Sequence, residues 1–233
     1  MPRNREFLSS EGARMEPRQD DAAEREIVLT IIGKKVALAP IRADLVHDYQ
    51  RWMNDFRMLR TLRGTEPLPM TEEKAAATLA AISSRPDEAI FTVYEREGLR
   101  PVGTTVIAKI DYRNRTAIYG IEIGEESARG KGLGTETTIL MLDYAFTALG
   151  LQNVMLHVSE LNVGGRRAYE RAGFREFGRR RKSRWTSSGF CDDIYMDCLA
   201  SEFNSQLLKA IYEPAEEAAV REKFLRGESI DTR

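Results

Sequence analysis

Between residues 118 and 134 the chain reads Ile-Tyr-Gly-Ile-Glu-Ile-Gly-Glu-Glu-Ser-Ala-Arg-Gly-Lys-Gly-Leu-Gly, and no other stretch limits the possible folds as much. A β-rich run passes through a polar turn into Gly130, Gly132 and Gly134, and Thr135-Glu136 then opens a segment of helical period. Strand, glycine turn and helix start in that order build an anion site. Glycines let backbone N–H groups converge on a concavity with no Cβ in the way. The first helical turn adds unpaired N–H groups and the positive end of its dipole, which suits a pyrophosphate. Two familiar phosphate loops are excluded. No Gly-Lys-Ser/Thr closes the run, and its G-x-G-x-G lacks the third glycine, three residues on, of the dinucleotide fingerprint. Taken alone, the glycines also fit a surface strand-to-helix connection without a ligand.

A chain of 233 residues makes one domain with terminal additions. A net charge of −1 gives no argument for nucleic acid or an anionic membrane surface. No apolar run approaches the eighteen or so residues of a membrane span, and the polar start has no signal-peptide core. Cys191 and Cys198 stand without metal-ligand company. They read as reduced thiols of a cytoplasmic protein with no metal site.

In chain order, residues 1–26 form a polar leader with too few apolar groups to pack. Residues 27–32 and 36–38 read as an opening hairpin. A helix over 44–53 follows, with Leu45, Tyr49, Trp52 and Met53 on one face, and Thr71 caps a second helix running to residue 82. The irregular segment 54–70 between them is a candidate substrate lid. Residues 89–94 and 102–110 are strands leading to the central strand at 118. The helix over 135–149 puts Ile139, Leu142, Phe146 and Leu149 on one face, and Gly150 ends it. A strand over 154–159, a helix over 164–171 and a hairpin pairing 174–177 with 193–199 around an Arg-rich loop complete the domain at about residue 200. Residues 201–233 form a helical tail, packed on the domain or on a second copy in a homodimer. No internal repeat is visible.

The loop Arg129-x-x-Gly132-x-Gly134 resembles the cofactor loop of the GNAT N-acetyltransferases. From about residue 31 to 199 the resemblance is to their RimJ/RimL-like branch. Its residues are Trp52-Met53-Asn54-Asp55, the run Gly130 to Glu136, Asp143-Tyr144-Ala145-Phe146, Asn162, Tyr169-Glu170-Arg171-Ala172-Gly173-Phe174, and Gly189 with Asp193. The resemblance implies an α/β (α+β) fold, a mixed and mostly antiparallel sheet of about six or seven strands flanked by helices. Its central strands, the fourth and fifth, would splay apart for the pantetheine arm of acetyl-CoA. It implies that Arg129, Gly130, Lys131, Gly132, Leu133, Gly134 and Thr135 hold the pyrophosphate, that Asn162 contacts the cofactor, and that Tyr169 gives a proton to the departing sulfur.

Acetyl transfer from a thioester to an amine needs a neutral nitrogen, a stabilised carbonyl oxygen and a protonated leaving thiolate. Amines with pKa near ten require a base or proton relay at neutral pH. Backbone N–H groups around Ile123 would serve the oxyanion. Related enzymes often carry a carboxylate where this chain has Ile118. Residues 118, 120 and 122 share a strand face, so Glu122 is the candidate base, with an exposed or ion-paired structural role as its alternative. His157 is a structural strand histidine or a relay, and His47 is a surface residue. Residues 179–182, Arg-Arg-Arg-Lys, read as a solvated loop that could also meet the cofactor 3′-phosphate or an acidic substrate.

Two functions fit: an N-acetyltransferase acting on a protein N-terminal amine or a small amine such as a polyamine, and a catalytically silent acyl-CoA-binding or scaffold protein of the same fold. Asn162 with Tyr169 favours the enzyme. Asp44, Asp48, Asp55, Glu66, Glu72 and Glu73 lean towards a cationic acceptor.

Overall fold

The apolar runs between glycine, proline and asparagine turns become one eight-stranded sheet: β1 (Ile31–Ile32), β2 (Val36–Pro40), β3 (Ala89–Glu95), β4 (Arg100–Asp111), β5 (Thr116–Ile123), β6 (Asn153–Ser159), β7 (Arg175–Thr186) and β8 (Gly189–Leu199). The structure is a computed structural model that describes residues 26–60, 62, 68–186, 189–205, 207–212 and 225–226. The strand order is β1-β2-β3-β4-β5-β6-β8-β7. Only β5 and β6 pair in parallel, and every other neighbouring pair is antiparallel. The sheet is mixed, as expected, with eight strands in place of about six or seven.

The helices are α1 (Val46–Met53), α2 (Phe56–Leu59), α3 (Glu72–Ser83), α4 (Leu133–Asp143), α5 (Val163–Ala172) and α6 (Leu208–Tyr212). The α4 helix makes the crossover that a parallel pair requires. Its Leu140, Met141 and Leu142 join Val36, Val93, Ile107, Tyr119, Leu156 and Ile194 in the main core. Each such side chain contributes about 1.5–3 kcal/mol by leaving water. Tyr49, Trp52, Met58 and Leu59 of α1 and α2 form a smaller core on the opposite face. The two faces follow from alternation along β5. Tyr119 reaches Thr138 of α4, whereas a Cβ on Gly124 would lie 2.1 Å from the Trp52 ring.

Three readings need correction. Residues 179–182 lie within β7, the edge strand, which is exposed over most of its length and so tolerates charge where a central strand would not. The segment 54–70 contains α2, started by the Asp55 carboxylate accepting from Arg57 N at 2.9 Å. The helix behind the glycine loop is α-helical only to Asp143 and then widens into a π-helical turn, Tyr144–Ala148. The leader, residues 61 and 63–67 of the expected lid, and most of the tail lie outside the described residues.

Asp143, fully buried, is the last α-helical residue before this change of pitch. Its carboxylate accepts from Thr147 Oγ1 at 2.9 Å, Ser205 Oγ at 2.5 Å, Leu207 N at 2.9 Å and Leu208 N at 3.0 Å. The start of the tail is thereby fastened to the far end of α4. Burial alone would raise this carboxyl's pKa, but the Ser205, Leu208, Leu207 and Thr147 donors outweigh it and hold the group below its ordinary value of 3.8. Asp143→Ala should cost about 2–4 kcal/mol, since buried donors lose a charged acceptor. A depressed carboxyl stabilises the fold fully above its unfolded pKa, and the gain disappears as pH falls through the folded value. The stability gap between wild type and Asp143→Asn, measured by denaturant unfolding, should therefore be constant at neutral pH and narrow below about pH 4.

Candidate active site

The β5 and β6 strands pair only at Thr116 with Asn153, Ala117 with Val154 and Ile118 with Met155. Beyond that point β5 stays on β4 as far as Gly103 with Ile123, and β6 stays on β8 as far as Ser159 with Asp193. The divergence expected between the fourth and fifth strands falls instead between β5 and β6, because the short β1 adds a strand ahead of them. From Tyr119 onward the β6-facing backbone groups of β5 have no strand partner, and a wedge lined by N–H and C=O groups opens towards the glycine loop.

Within that loop Gly130 and Gly132 take φ of 77° and 85°, the left-handed region where a Cβ is penalised. Gly132 is the residue from which α4 starts. A Cβ on Gly134 would sit 3.9 Å from Ile123 Cγ1, so the end of β5 touches the helix start. Arg129 does not project freely. Its Nε donates to Ile123 O at 2.9 Å and its Nη2 to Gly124 O at 3.1 Å, stapling the loop to the end of β5. Lys131 is exposed, with Nζ 3.6 Å from Glu95 Oε1. Leu133 is buried in the main core and Thr135 is half-buried.

Several residues that brace this loop were not singled out from sequence. Lys35 Nζ donates to Lys131 O at 3.2 Å and lies 3.3 Å from where a Cβ on Gly132 would stand. The Glu136 carboxylate accepts from the backbone N–H groups of Lys34 and, at 2.9 Å, Lys35. Tyr119 and Thr138 are 3.0 Å apart, and Thr138 Oγ1 donates to Gly134 O at 2.7 Å, so Tyr119 donates to Thr138. The Gly134-to-Thr138 step was visible as an i, i+4 spacing. The Lys35 contact joins residues about a hundred apart and had no local signal.

Tyr169, on α5, is half-buried beside the wedge on the α4 side. Its ring meets Tyr119 edge-on at 6.2 Å and Phe174 at 6.0 Å. Burial pushes its phenol up to about 12, so it keeps its proton at any physiological pH. The hydroxyl makes no hydrogen bond to another described residue. Asn162 caps α5, its Oδ1 accepting from Gly165 N at 2.9 Å. Its amide nitrogen makes no hydrogen bond within the described residues, so the cap leaves a donor available.

Glu122 lies on the other face of β5. Its half-buried carboxylate accepts from Thr104 Oγ1, its cross-strand neighbour, at 2.5 Å. Burial raises its pKa against the opposing effect of that bond, and it has no ion-pair partner among the described residues. It is therefore not the ion-paired surface carboxylate of the structural alternative. Tyr169 and Glu122 flank the wedge from opposite sides of the sheet. His157 shares Glu122's face, since Ile118 is in register with Met155, and its ring lies tilted against Tyr195 with centroids 5.8 Å apart.

The acidic residues of the α1 to α3 region are largely neutralised. Asp44 pairs with Arg42 at 2.5 Å, Asp48 with Arg51 at 2.8 Å, and Asp55 lies 3.6 Å from Arg57 and 3.7 Å from Arg129. Glu72 and Glu73 occupy the first turn of α3, and Glu66 lies outside the described residues. A cleft of about 550 Å³ opens here, lined by Trp52, Asp55, Gly124 and Glu125 among others. The Trp52 indole donates to Glu125 at 2.8 Å, and Arg51 bonds the same carboxylate. Burial would raise the Glu125 pKa, but Arg51 and Trp52 together hold it below the ordinary value. Among the described residues no cluster of three His, Cys, Asp or Glu side chains could hold a metal ion, and no helix is long and apolar enough to cross a membrane.

Residues 35–175, more than half of the chain, match the acetyltransferase (GNAT) domain family. The chain is 29% identical over 158 residues to human alpha/beta-tubulin-N-acetyltransferase 9, covering 63% of this chain and 75% of the relative. To the spermidine N(1)-acetyltransferase of Vibrio cholerae it is 36% identical over 77 residues, 33% of this chain and 44% of that one. A crystal structure of Vibrio cholerae spermidine N-acetyltransferase with CoA and spermine superposes with a TM-score of 0.67 at 22% identity, covering 73% of this chain and 99% of that one. The chain belongs to the GNAT acetyltransferase family, with its mixed sheet and flanking helices. It is an acetyl-CoA-dependent N-acetyltransferase.

Proposed function

We propose that acetyl-CoA threads the β5–β6 wedge with its pyrophosphate on the loop from Arg129 to Thr135, and that Tyr169 and Glu122 act on the thioester and the amine from opposite faces of the sheet. The observation that carries this is that β5–β6 pairing ends at Ile118 and the unpaired stretch of β5 runs on to Ile123, which meets the helix start behind the left-handed glycines of the loop. The backbone N–H groups of Gly130, Lys131, Gly132, Leu133, Gly134 and Thr135 hold the phosphates, while the Arg129 side chain fixes the loop's position. The free amide of Asn162 donates to the pantetheine arm, and backbone around Ile123 receives the carbonyl oxygen as it gains charge.

In the transfer, the amine nitrogen attacks the carbonyl carbon, the C–S bond breaks with its electron pair on sulfur, and the nitrogen loses a proton. Glu122 takes that proton, directly or through water. Tyr169 donates a hydrogen bond to the departing sulfur. A phenol held at about 12 is a weaker acid than a thiol, so this bond stabilises the thiolate, which leaves as such or takes a proton from water, while Glu122 returns the nitrogen's proton to solvent.

The acceptor in this reading is a primary amine, a protein N-terminal amine or a small amine such as a polyamine. The reading extends to a RimJ/RimL-like relationship, supported by the motifs from Trp52 to Asp193, and to a catalytic domain at 27–200 followed by a tail at 201–233 whose start packs on that domain. It also includes a cytoplasmic location, which the free, buried Cys191 and Cys198 support. A homodimer joined through the tail finds support in the exposed Ile211 and Tyr212 of α6.

Thiol release from acetyl-CoA with a panel of amines tests the mechanism. Tyr169→Phe should lower kcat while leaving the acetyl-CoA Kd nearly unchanged, because the hydroxyl matters only as sulfur gains charge. Wild-type turnover with chemistry rate-limiting would remove Tyr169 from the mechanism. Glu122→Gln should reduce kcat/KM by about 10²–10⁴-fold near neutral pH. In wild type kcat/KM should rise with pH through the elevated Glu122 ionisation, since the base form exists only above it. The deficit of Glu122→Gln should shrink at high pH, where the amine arrives neutral. A variant that keeps both rate and pH profile would move the base to His157 or to a water chain.

A further inference from the structure

The basic run in β7 has no part in the mechanism above, yet the strand register brings part of it to the acceptor side. Neighbouring residues in register share a face. Ile118 pairs with Met155, His157 with Tyr195, Ser159 with Asp193, Asp193 with Arg180, and Cys191 with Arg184. Arg180 and Arg184 therefore rise from the face that carries Glu122 and His157. The Arg184 guanidinium confirms this, donating to Arg60 O at 3.0 Å at the end of α2, whose neighbour Trp52 lies over Gly124 on that same face. The β7–β8 hairpin and the end of α2 thus meet across the mouth of the wedge.

The charge at this mouth is unbalanced. The side chains of Arg180 and Arg181 are exposed and make no ion pair or hydrogen bond with a described residue. Among the described residues Arg184 has no carboxylate partner and donates to the Arg60 carbonyl. The carboxylates of the face are committed elsewhere. Asp193 is buried with contacts of its own, Asp197 accepts from Asn153 Nδ2 at 3.1 Å, and Glu122 is held by Thr104. Across the mouth, Asp44, Asp48 and Asp55 are matched by Arg42, Arg51, Arg57 and Arg129. Among the described residues, Glu72 and Glu73 of α3 are the acidic residues of that region without an arginine partner.

Resting on the acetyltransferase reading, we propose that the acceptor is the N-terminal amine of a polypeptide with acidic side chains close behind it, guided by Arg180 and Arg184. The nitrogen enters towards Glu122, and the carboxylates that follow meet the arginines at the mouth. Guanidinium groups suit this because they engage carboxylates through two parallel N–H bonds.

The test compares thiol release with three peptides beginning Ala-Glu-Glu, Ala-Gln-Gln and Ala-Lys-Lys on one common remainder, alongside spermidine. The Glu peptide should exceed the Lys peptide in kcat/KM by roughly fivefold or more, the scale of one or two partly exposed ion pairs. Arg180→Glu should invert or abolish that ratio. Arg184→Gln should reduce it as well, and provides the comparison if the first variant fails to fold. A wild-type ratio near one would overturn the proposal, as would turnover of spermidine with none of the peptides, although acetyl transfer itself would stand. An Arg180→Glu variant with a raised KM for acetyl-CoA against every acceptor alike would assign the arginine to the cofactor phosphates and also overturn it. No turnover with any amine and no thermal shift with coenzyme A would remove the underlying reading and this proposal together.

Discussion

Hydrogen bonding between β5 and β6 stops after three register pairs, and the rest of the site depends on that stop. A buried strand edge is costly when its N–H and C=O groups find no partner. Here the sheet accepts such an edge at the junction where a parallel crossover helix begins, so the unpaired groups of β5 and the first turn of α4 face one opening. The energetic cost is offset by the antiparallel pairs on both sides, β4 with β5 and β6 with β8, which hold the two strands in place while they diverge.

Around that opening the structure fixes backbone with side chains. Arg129 holds the loop to the end of β5, Glu136 holds the β1–β2 turn to α4, and Thr138 links Tyr119 to the Gly134 carbonyl. Asp143 does the same at the far end of the helix, where it fastens the tail. Charged and hydroxyl groups that look catalytic in a list of residue types are therefore mostly internal braces. The two groups proposed to act in the transfer, Glu122 and Tyr169, are each half-buried without a charged partner among the described residues, and burial raises the ionisation of each, as it does for Tyr144.

Much of this was legible in the sequence, because it rests on local rules. Left-handed glycines, the Thr71 and Asn162 caps and the stop at Gly173 each follow from residue type at one position. The main core followed from helical and strand periodicity. What stayed hidden depends on partners distant in sequence. The Arg-rich part of β7 has no apolar alternation because an edge strand needs none, so it read as a loop. The arginine partners of Asp44, Asp48 and Asp55, which weaken the charge argument drawn from these residues, were likewise invisible in the sequence. Arg129 kept its place in the motif but makes its contacts by side chain to β5, which spacing alone does not reveal.

If the wedge and glycine loop form the cofactor site, coenzyme A binding depends on the left-handed turn at Gly132, where φ is 85°. The direct measurement is a calorimetric titration of coenzyme A into wild type and Gly132→Val, with circular dichroism to verify that the variant folds. Wild type should show saturable binding to one site per chain, and the folded variant should show none, because a β-branched residue disfavours that backbone and its side chain points at Lys35. Equal affinity in the two proteins would contradict the placement of the cofactor on this loop.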